Sequence, residues 1–198
     1  QLDIYFNYST NNGGTWNQNP AGQTVDIRLD VGDTPGANGS GSPQIASQGN
    51  FVYIVWVDRR NGQDDIYFSS AMSNPFPLPL TWINADIRLD VDFIPGAHNS
   101  AFPQISAQGN NVYVAWEDWR LGYPDIYFRY SLNNGQTWYG RDIRLDTGDW
   151  SGVNFSVQPQ ISSQGVNVYV VWDDRRNGLG DIYFNSSANN GITWRDGP

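Results

Sequence analysis

The tetrapeptide Asp-Ile-Tyr-Phe occurs four times, starting at Asp3, Asp65, Asp125 and Asp181, at spacings of 62, 60 and 56 residues. Pro-Gln-Ile occurs three times, at Pro43, Pro103 and Pro159, and Asp-Ile-Arg-Leu-Asp three times, at Asp26, Asp86 and Asp142. Motifs that return in the same order at a fixed period define one supersecondary unit. Such a unit hides its apolar faces by stacking against its own copies.

Each full unit reads as four strands. The first begins at Pro-Gln-Ile (43–47) and ends at a turn, Gln48-Gly49. The second is Phe51 to Asp58, copied at 111–118 and 167–174, an apolar run of the kind covered on both faces. A turn about Gly62, Gly122 or Gly178 leads to the third strand, Asp-Ile-Tyr-Phe. The fourth runs from Thr-Trp to Asp-Ile-Arg-Leu-Asp, where Ile and Leu alternate with charges as on a half-buried outer strand. Four strands at a period of about 60 residues predict an all-β fold, a β-propeller of four-stranded antiparallel blades. A parallel β-helix needs a much shorter period, an immunoglobulin-like sandwich one of about 100 residues. No stretch holds a 3.6-residue apolar spacing, which excludes helical solenoids.

The units predict a half-blade at 1–30, blades at 43–90 and 103–146, and a nearly complete blade at 159–198, about three and a half in all. An open arc leaves apolar faces uncovered. The expected completion is a larger ring of six or seven blades, or association with another copy. The first is preferred, because in a two-fold ring the opening half-blade still lacks its inner strands.

Composition narrows the partners. The net charge is −9 and all 11 basic residues are Arg, so phosphate backbones and anionic membrane surfaces are disfavoured. Without Cys there is neither disulfide nor thiolate chemistry, and the lone His98 cannot build a histidine cluster. No run approaches the roughly 18 apolar residues of a membrane span. The opening Gln1-Leu2-Asp3 reads as a mature or trimmed product. A secreted or cell-surface protein is the expectation.

The turn after the third strand reads Ser9-Thr-Asn-Asn-Gly-Gly-Thr-Trp16, and returns as Ser131 to Trp138 and Ser187 to Trp194. It resembles the Asp box, SxDxGxTW, of sialidases and related BNR-repeat propellers. Asn11, Asn133 and Asn189 stand where that family usually has Asp. The second unit, Ser73 to Trp82, keeps only the closing Thr81-Trp82. The resemblance covers nearly the whole chain. It implies that Ser9, Asn11, Gly13, Thr15 and Trp16 are structural and lie away from the ligand, as do Ser131, Asn133, Gly135, Thr137 and Trp138, and Ser187, Asn189, Gly191, Thr193 and Trp194. Physics agrees: Asn accepts hydrogen bonds from following amides, Gly supplies a positive φ, and Trp can cover the blade's outer edge.

The opposite face carries the second-to-third-strand loops and those between blades. The former hold Trp56/Asp58/Arg60, Trp116/Asp118/Arg120 and Trp172/Asp174/Arg176. Each Arg precedes the third-strand Asp by five positions, and the simplest role is pairing with both Asp residues to brace the loop. The functional alternative is a planar fork offered to a carboxylate or sugar hydroxyls. Arg59 and Arg175, with Trp119 at the middle copy, are freer to face a ligand. The inter-blade loops hold Asp30 and Asp33, Asp90 and Asp92, and Asp146 and Asp149, weak candidates for Ca²⁺. Their spacing does not fit the EF-hand, and no cofactor is required.

The resemblance to sialidases implies one radial catalytic constellation: three Arg, a Tyr with a Glu partner, and an Asp acid/base. Retaining glycosidases need two such groups at a set separation. The only Glu is Glu117, at the place of Val57 and Asp173. Tyr113 lies four residues away on the same strand, too far for direct contact. The expectation is a non-catalytic module that binds glycans or an extracellular protein. The alternatives are part of a sialidase-type hydrolase whose other blades lie outside this chain, and a purely structural repeat.

Overall fold

The computed structural model describes residues 1–73, 80–91 and 93–196, with the side chains of all of these but Asn84 and Ala85. No helix forms among them. The opening sheet pairs β1 (Tyr5–Phe6) with β2 (Ile27–Arg28). The first full blade is an antiparallel meander of β3 (Ser40–Gln48), β4 (Phe51–Asp58), β5 (Asp65–Ser73) and β6 (Leu80–Arg88). The second is β7 (Ser100–Gln108), β8 (Asn111–Asp118), β9 (Asp125–Ser131) and β10 (Ile143–Arg144). The third has β11 (Ser156–Gln164), β12 (Asn167–Asp174) and β13 (Asp181–Ser187). These sheets stack as blades of a partial β-propeller.

The apolar second strands explain the stacking. Their side chains alternate between two neighbours. Ile54 and Trp56 face back, packing with Ile4, Phe6 and Leu29 of the opening sheet. Tyr53, Val55 and Val57, with Ile66 and Phe68, face forward onto Val112, Val114 and Trp116. Tyr113 and Ala115 in turn face Val168, Val170 and Trp172. A strand walled on both sides favours apolar residues, hence the long runs, with Glu117 of β8 a buried exception.

Two details differ from the sequence reading. The first strands begin three residues before the proline, at Ser40, Ser100 and Ser156. Their pairing skips between Gly41 and Gln44, Ala101 and Gln104, and Val157 and Gln160, where Ser42, Phe102 and Gln158 take φ of +48°, +50° and +55°. The proline falls within this bulge, where no ladder bond is asked of it. The fourth strand is long only in the first blade. Elsewhere two residues pair, because the Ser-to-Trp turn takes up the rest of the segment.

That turn has one geometry in three places. The Asn11 side-chain oxygen accepts from the Thr15 backbone N–H at 2.7 Å, and its amide donates to the Thr15 hydroxyl at 2.9 Å. The Ser9 hydroxyl accepts from the Gly13 N–H at 2.9 Å. The same bonds link Asn133, Thr137, Ser131 and Gly135, and Asn189, Thr193, Ser187 and Gly191. Trp138 and Trp194 do not cap the outer edge, whereas Trp16 is exposed. Trp138 meets Phe68 of the preceding blade edge to face at 4.9 Å, and Trp194 meets Phe128 at 4.8 Å. Beside them Tyr53 donates to the Asn134 side chain at 2.9 Å, and Tyr113 to Asn190 at 3.1 Å. The matching turn of the second unit includes residues 74–79, outside the described residues.

Candidate functional site

The turns divide between two faces. The Asn134 N–H donates to the Asn110 carbonyl at 2.7 Å, which puts the Ser-to-Trp turns beside the first-to-second-strand turns. At the other end the Gln63 N–H donates to Gly96 at 3.1 Å, and the Tyr123 N–H to Gly152 at 3.0 Å. The second-to-third-strand loops and the inter-blade loops therefore share one face, here called the loop face.

On that face most of the sequence-predicted residues are engaged with one another. Asp58 ends β4 and accepts from the Arg60 backbone N–H at 2.9 Å, from its guanidinium, and from the Trp56 indole at 3.2 Å. Burial would raise the Asp58 carboxyl, but the Arg60 bonds outweigh it and hold it below the usual range. Arg60 stacks 4.2 Å over Tyr67 and reaches Asp86 at 2.9 Å. The second carboxylate is thus Asp86, from near the end of the fourth strand, and not the third-strand Asp65. Asp118, Arg120 and Trp116 repeat this with Asp142 at 2.7 Å and Tyr127 at 4.0 Å. Asp174, Arg176 and Trp172 repeat it over Tyr183 at 4.2 Å. At Asp174, too, bonds from Arg176 and Trp172 outweigh burial, bringing it to about 2.

The inter-blade carboxylates gather round arginines. Arg28 lies 3.0 Å from Asp30, 2.6 Å from Asp33 and 3.7 Å from Asp3. Arg144 lies 2.8 Å from both Asp146 and Asp149 and 3.1 Å from Asp125. Arg88 lies 3.0 Å from Asp90 and 3.3 Å from Asp65; Asp92 lies outside the described residues. In each loop a guanidinium sits where a cation would. Among the described residues no group of three or more Asp, Glu, His or Cys is arranged to hold a metal ion.

Arg59 and Arg175 are exposed and Trp119 is half-buried. The Arg59 guanidinium is fixed by an ion pair with Asp64. It borders an open cavity of about 550 Å³ walled by Gln1, Leu2, Gly39 to Ser42, Val57, Asp64, Ala101 and Phe102. The sequence reading missed the aromatic contribution: Phe102 is 53% exposed there, and Trp150 stands 84% exposed on the next inter-blade loop. For Trp150 the signal was present, since an apolar residue in a polar loop has no packing role; Phe102 sits in the β7 bulge, which the sequence did not mark.

Glu117 lies beneath this face, 1% exposed. Its carboxylate accepts from the Gln158 backbone N–H at 2.6 Å, across a blade boundary. Burial pushes it up to about 7, and the Gln158 bond only partly offsets this. The equivalent Val57 needs no such partner.

No protein-family model and no curated protein sequence matches the chain. Its fold is similar to those of solved glycoside hydrolases. A family 117 glycoside hydrolase of Zobellia galactanivorans superposes with TM-score 0.54 at 12% identity, covering 83% of this chain and 57% of that one. An α-L-arabinanase of Penicillium chrysogenum, complexed with arabinobiose, gives 0.53 at 13%, covering 92% and 54%. Trypanosoma rangeli sialidase gives 0.52 at 12%, covering 90% and 32%. The chain thus spans about a third to just over half of these propeller proteins. At such identities the likeness establishes the shared sialidase-like propeller fold and nothing finer.

Proposed function

We propose that this arc of blades is a non-catalytic carbohydrate-binding module of a secreted or cell-surface protein, and that it binds through the loop face. The observation that carries the reading is the cavity beside Arg59. Its size falls within the range of small-ligand sites. The exposed Ser42 offers a hydroxyl, Phe102 offers an apolar ring, and Asp64 holds Arg59 in one orientation. The propeller neighbours act on glycosides by name, which supports a saccharide over an extracellular protein as partner.

A hydrolase remains the second reading, favoured by Glu117. A carboxyl near 7 suits proton transfer. Against it, Glu117 is buried and does not line the cavity, and the cavity's one carboxylate, Asp64, is tied to Arg59. Glycan-array binding by the pure chain, lost in Arg59→Ala with Arg175→Ala, is the expected result. Turnover of fluorogenic glycosides, abolished by Glu117→Gln, would replace this reading with the hydrolase.

A further inference from the structure

Each blade boundary within the chain is closed by the same ring contact. A phenylalanine of one third strand meets a tryptophan of the next blade edge to face: Phe6 and Trp82 at 5.7 Å, Phe68 and Trp138 at 4.9 Å, Phe128 and Trp194 at 4.8 Å. At the last two boundaries a second-strand tyrosine also donates to an asparagine of the next turn, Tyr53 to Asn134 at 2.9 Å and Tyr113 to Asn190 at 3.1 Å. A glycine of each of these turns lies against the phenylalanine, so closely that a Cβ on Gly135 or Gly191 would come within 2.5 or 2.6 Å of it.

Among the described residues one of each partner is left over, at opposite ends of the arc. Trp16 is 51% exposed where Trp194 is 7%, Asn12 is exposed near it, and a Cβ on Gly13 would meet nothing within 4 Å. The turn that carries them is nevertheless fully built. Asn12 holds φ of +55° where Asn134 and Asn190 hold +59° and +61°, and the side-chain bonds of the turn are those of its two copies. On the outer face of the third blade, Phe184 is 43% exposed where Phe68 and Phe128 are fully buried. Ile182 beside it is open where Ile66 and Ile126 are fully buried. Tyr169, the counterpart of Tyr53 and Tyr113, has a hydroxyl that bonds to nothing among the described residues. The chain itself shows what covers such a face, because it covers two of them with a turn of the Asn12 to Trp16 pattern.

We infer that a second copy of the chain docks on this outer face, its Trp16 edge on against Phe184 and its Asn12 accepting from the Tyr169 hydroxyl. Tyr5, exposed on the approaching edge, supplies ring surface as its counterpart Tyr127 does inside the arc. The two surfaces differ and each copy carries one of each, so the contact is heterologous and association runs in one direction. An indole seated against a matching ring is the kind of anchor that dominates a protein interface. Because the pairing repeats the internal boundary, the loop faces of both copies point the same way.

Sedimentation velocity of the pure chain, from about 1 μM to about 1 mM, tests this. The sedimentation coefficient should rise with concentration. Trp16→Ala and Phe184→Ala should each weaken self-association about thirtyfold or more. Mixed in equal amounts, the two variants should form a 1:1 complex as tight as the parent contact, since the first keeps the Phe184 face and the second keeps the Trp16 edge. Trp16 packs against no ring within its own chain, so its loss leaves the fold intact. Should Phe184→Ala not fold, Tyr169→Phe removes only a hydroxyl and should weaken the contact about fivefold. A parent that stays monomeric at about 1 mM would overturn the inference and leave both surfaces to further blades of one polypeptide. Association that survives both substitutions, or variants that do not recover on mixing, would overturn it by placing the contact elsewhere.

Discussion

Gly13 and Gly135 occupy the same place in two copies of one turn, with φ of +84° and +79°. A Cβ on Gly13 would meet nothing within 4 Å, whereas one on Gly135 would lie 2.5 Å from the Phe68 ring. Gly13→Ala should therefore cost only the backbone penalty, about 1–2 kcal/mol, and Gly135→Ala about 1–3 kcal/mol more. Urea midpoints of the two variants measure the difference, and equal losses would show that the ring yields freely. Glu117 sets a second test at this scale. Its folded pKa of about 7 stands above the ordinary 4.5, so the folded state holds the proton more tightly. Its contribution is complete below about pH 4.5 and fades as pH rises through 7. Glu117→Gln should be more stable than the parent at about pH 8.5, by up to about 3 kcal/mol, and nearly equal to it at acid pH. A gap independent of pH would refute this. The sequence marked Glu117 as unique, but its partner, a bulged amide on the next blade, lies 41 residues away and no local pattern announces it.

At the scale of elements, the second and third strands were legible because burial on both faces enriches them in apolar residues, although Ser69, Ser70, Glu117 and Arg129 are buried among them. The bulges were not, since Pro43 looked like a strand start and is a strand interruption. The arginine clamps were half legible. The Asp two residues before each Arg could be read locally, but Asp86 and Asp142 arrive from a strand whose approach depends on the blade's twist. The inter-blade loops give the prediction proper to this scale. With Arg144 already among Asp125, Asp146 and Asp149, calcium or a chelator should move the parent's melting midpoint by less than about 1 °C. Arg144→Gln leaves three carboxylates without their cation. It should lose about 3–5 kcal/mol and regain part of that in millimolar calcium, as scanning calorimetry would register. A parent that melts lower in chelator would restore these loops as a calcium site.

For the whole molecule, stability is a sum over blades and the contacts between them. Tyr113 and Phe128 of the second blade are fully buried, whereas their equivalents Tyr169 and Phe184 in the third are 37% and 43% exposed. Hydrogen exchange should therefore find the slowest amides in β8 and β9 and earlier opening in β12 and β13. Uniform protection would mean that the arc melts as one block. Blade count and order were fully legible from the repeat. The cavity beside Arg59 was not, because Phe102 reaches it from the next blade, a proximity only the stacking reveals.

The indole that leans on the previous blade's phenylalanine always leans the same way, which gives the fan a head and a tail. Every seam is thus a socket that accepts any later unit of the same pattern. A second copy of residues 99–154 spliced in after residue 154 would present Trp138 to Phe128 just as Trp194 now is, and offer its own phenylalanine onward. Such a graft should fold without redesign, lengthening the molecule by one sector and raising its denaturation midpoint.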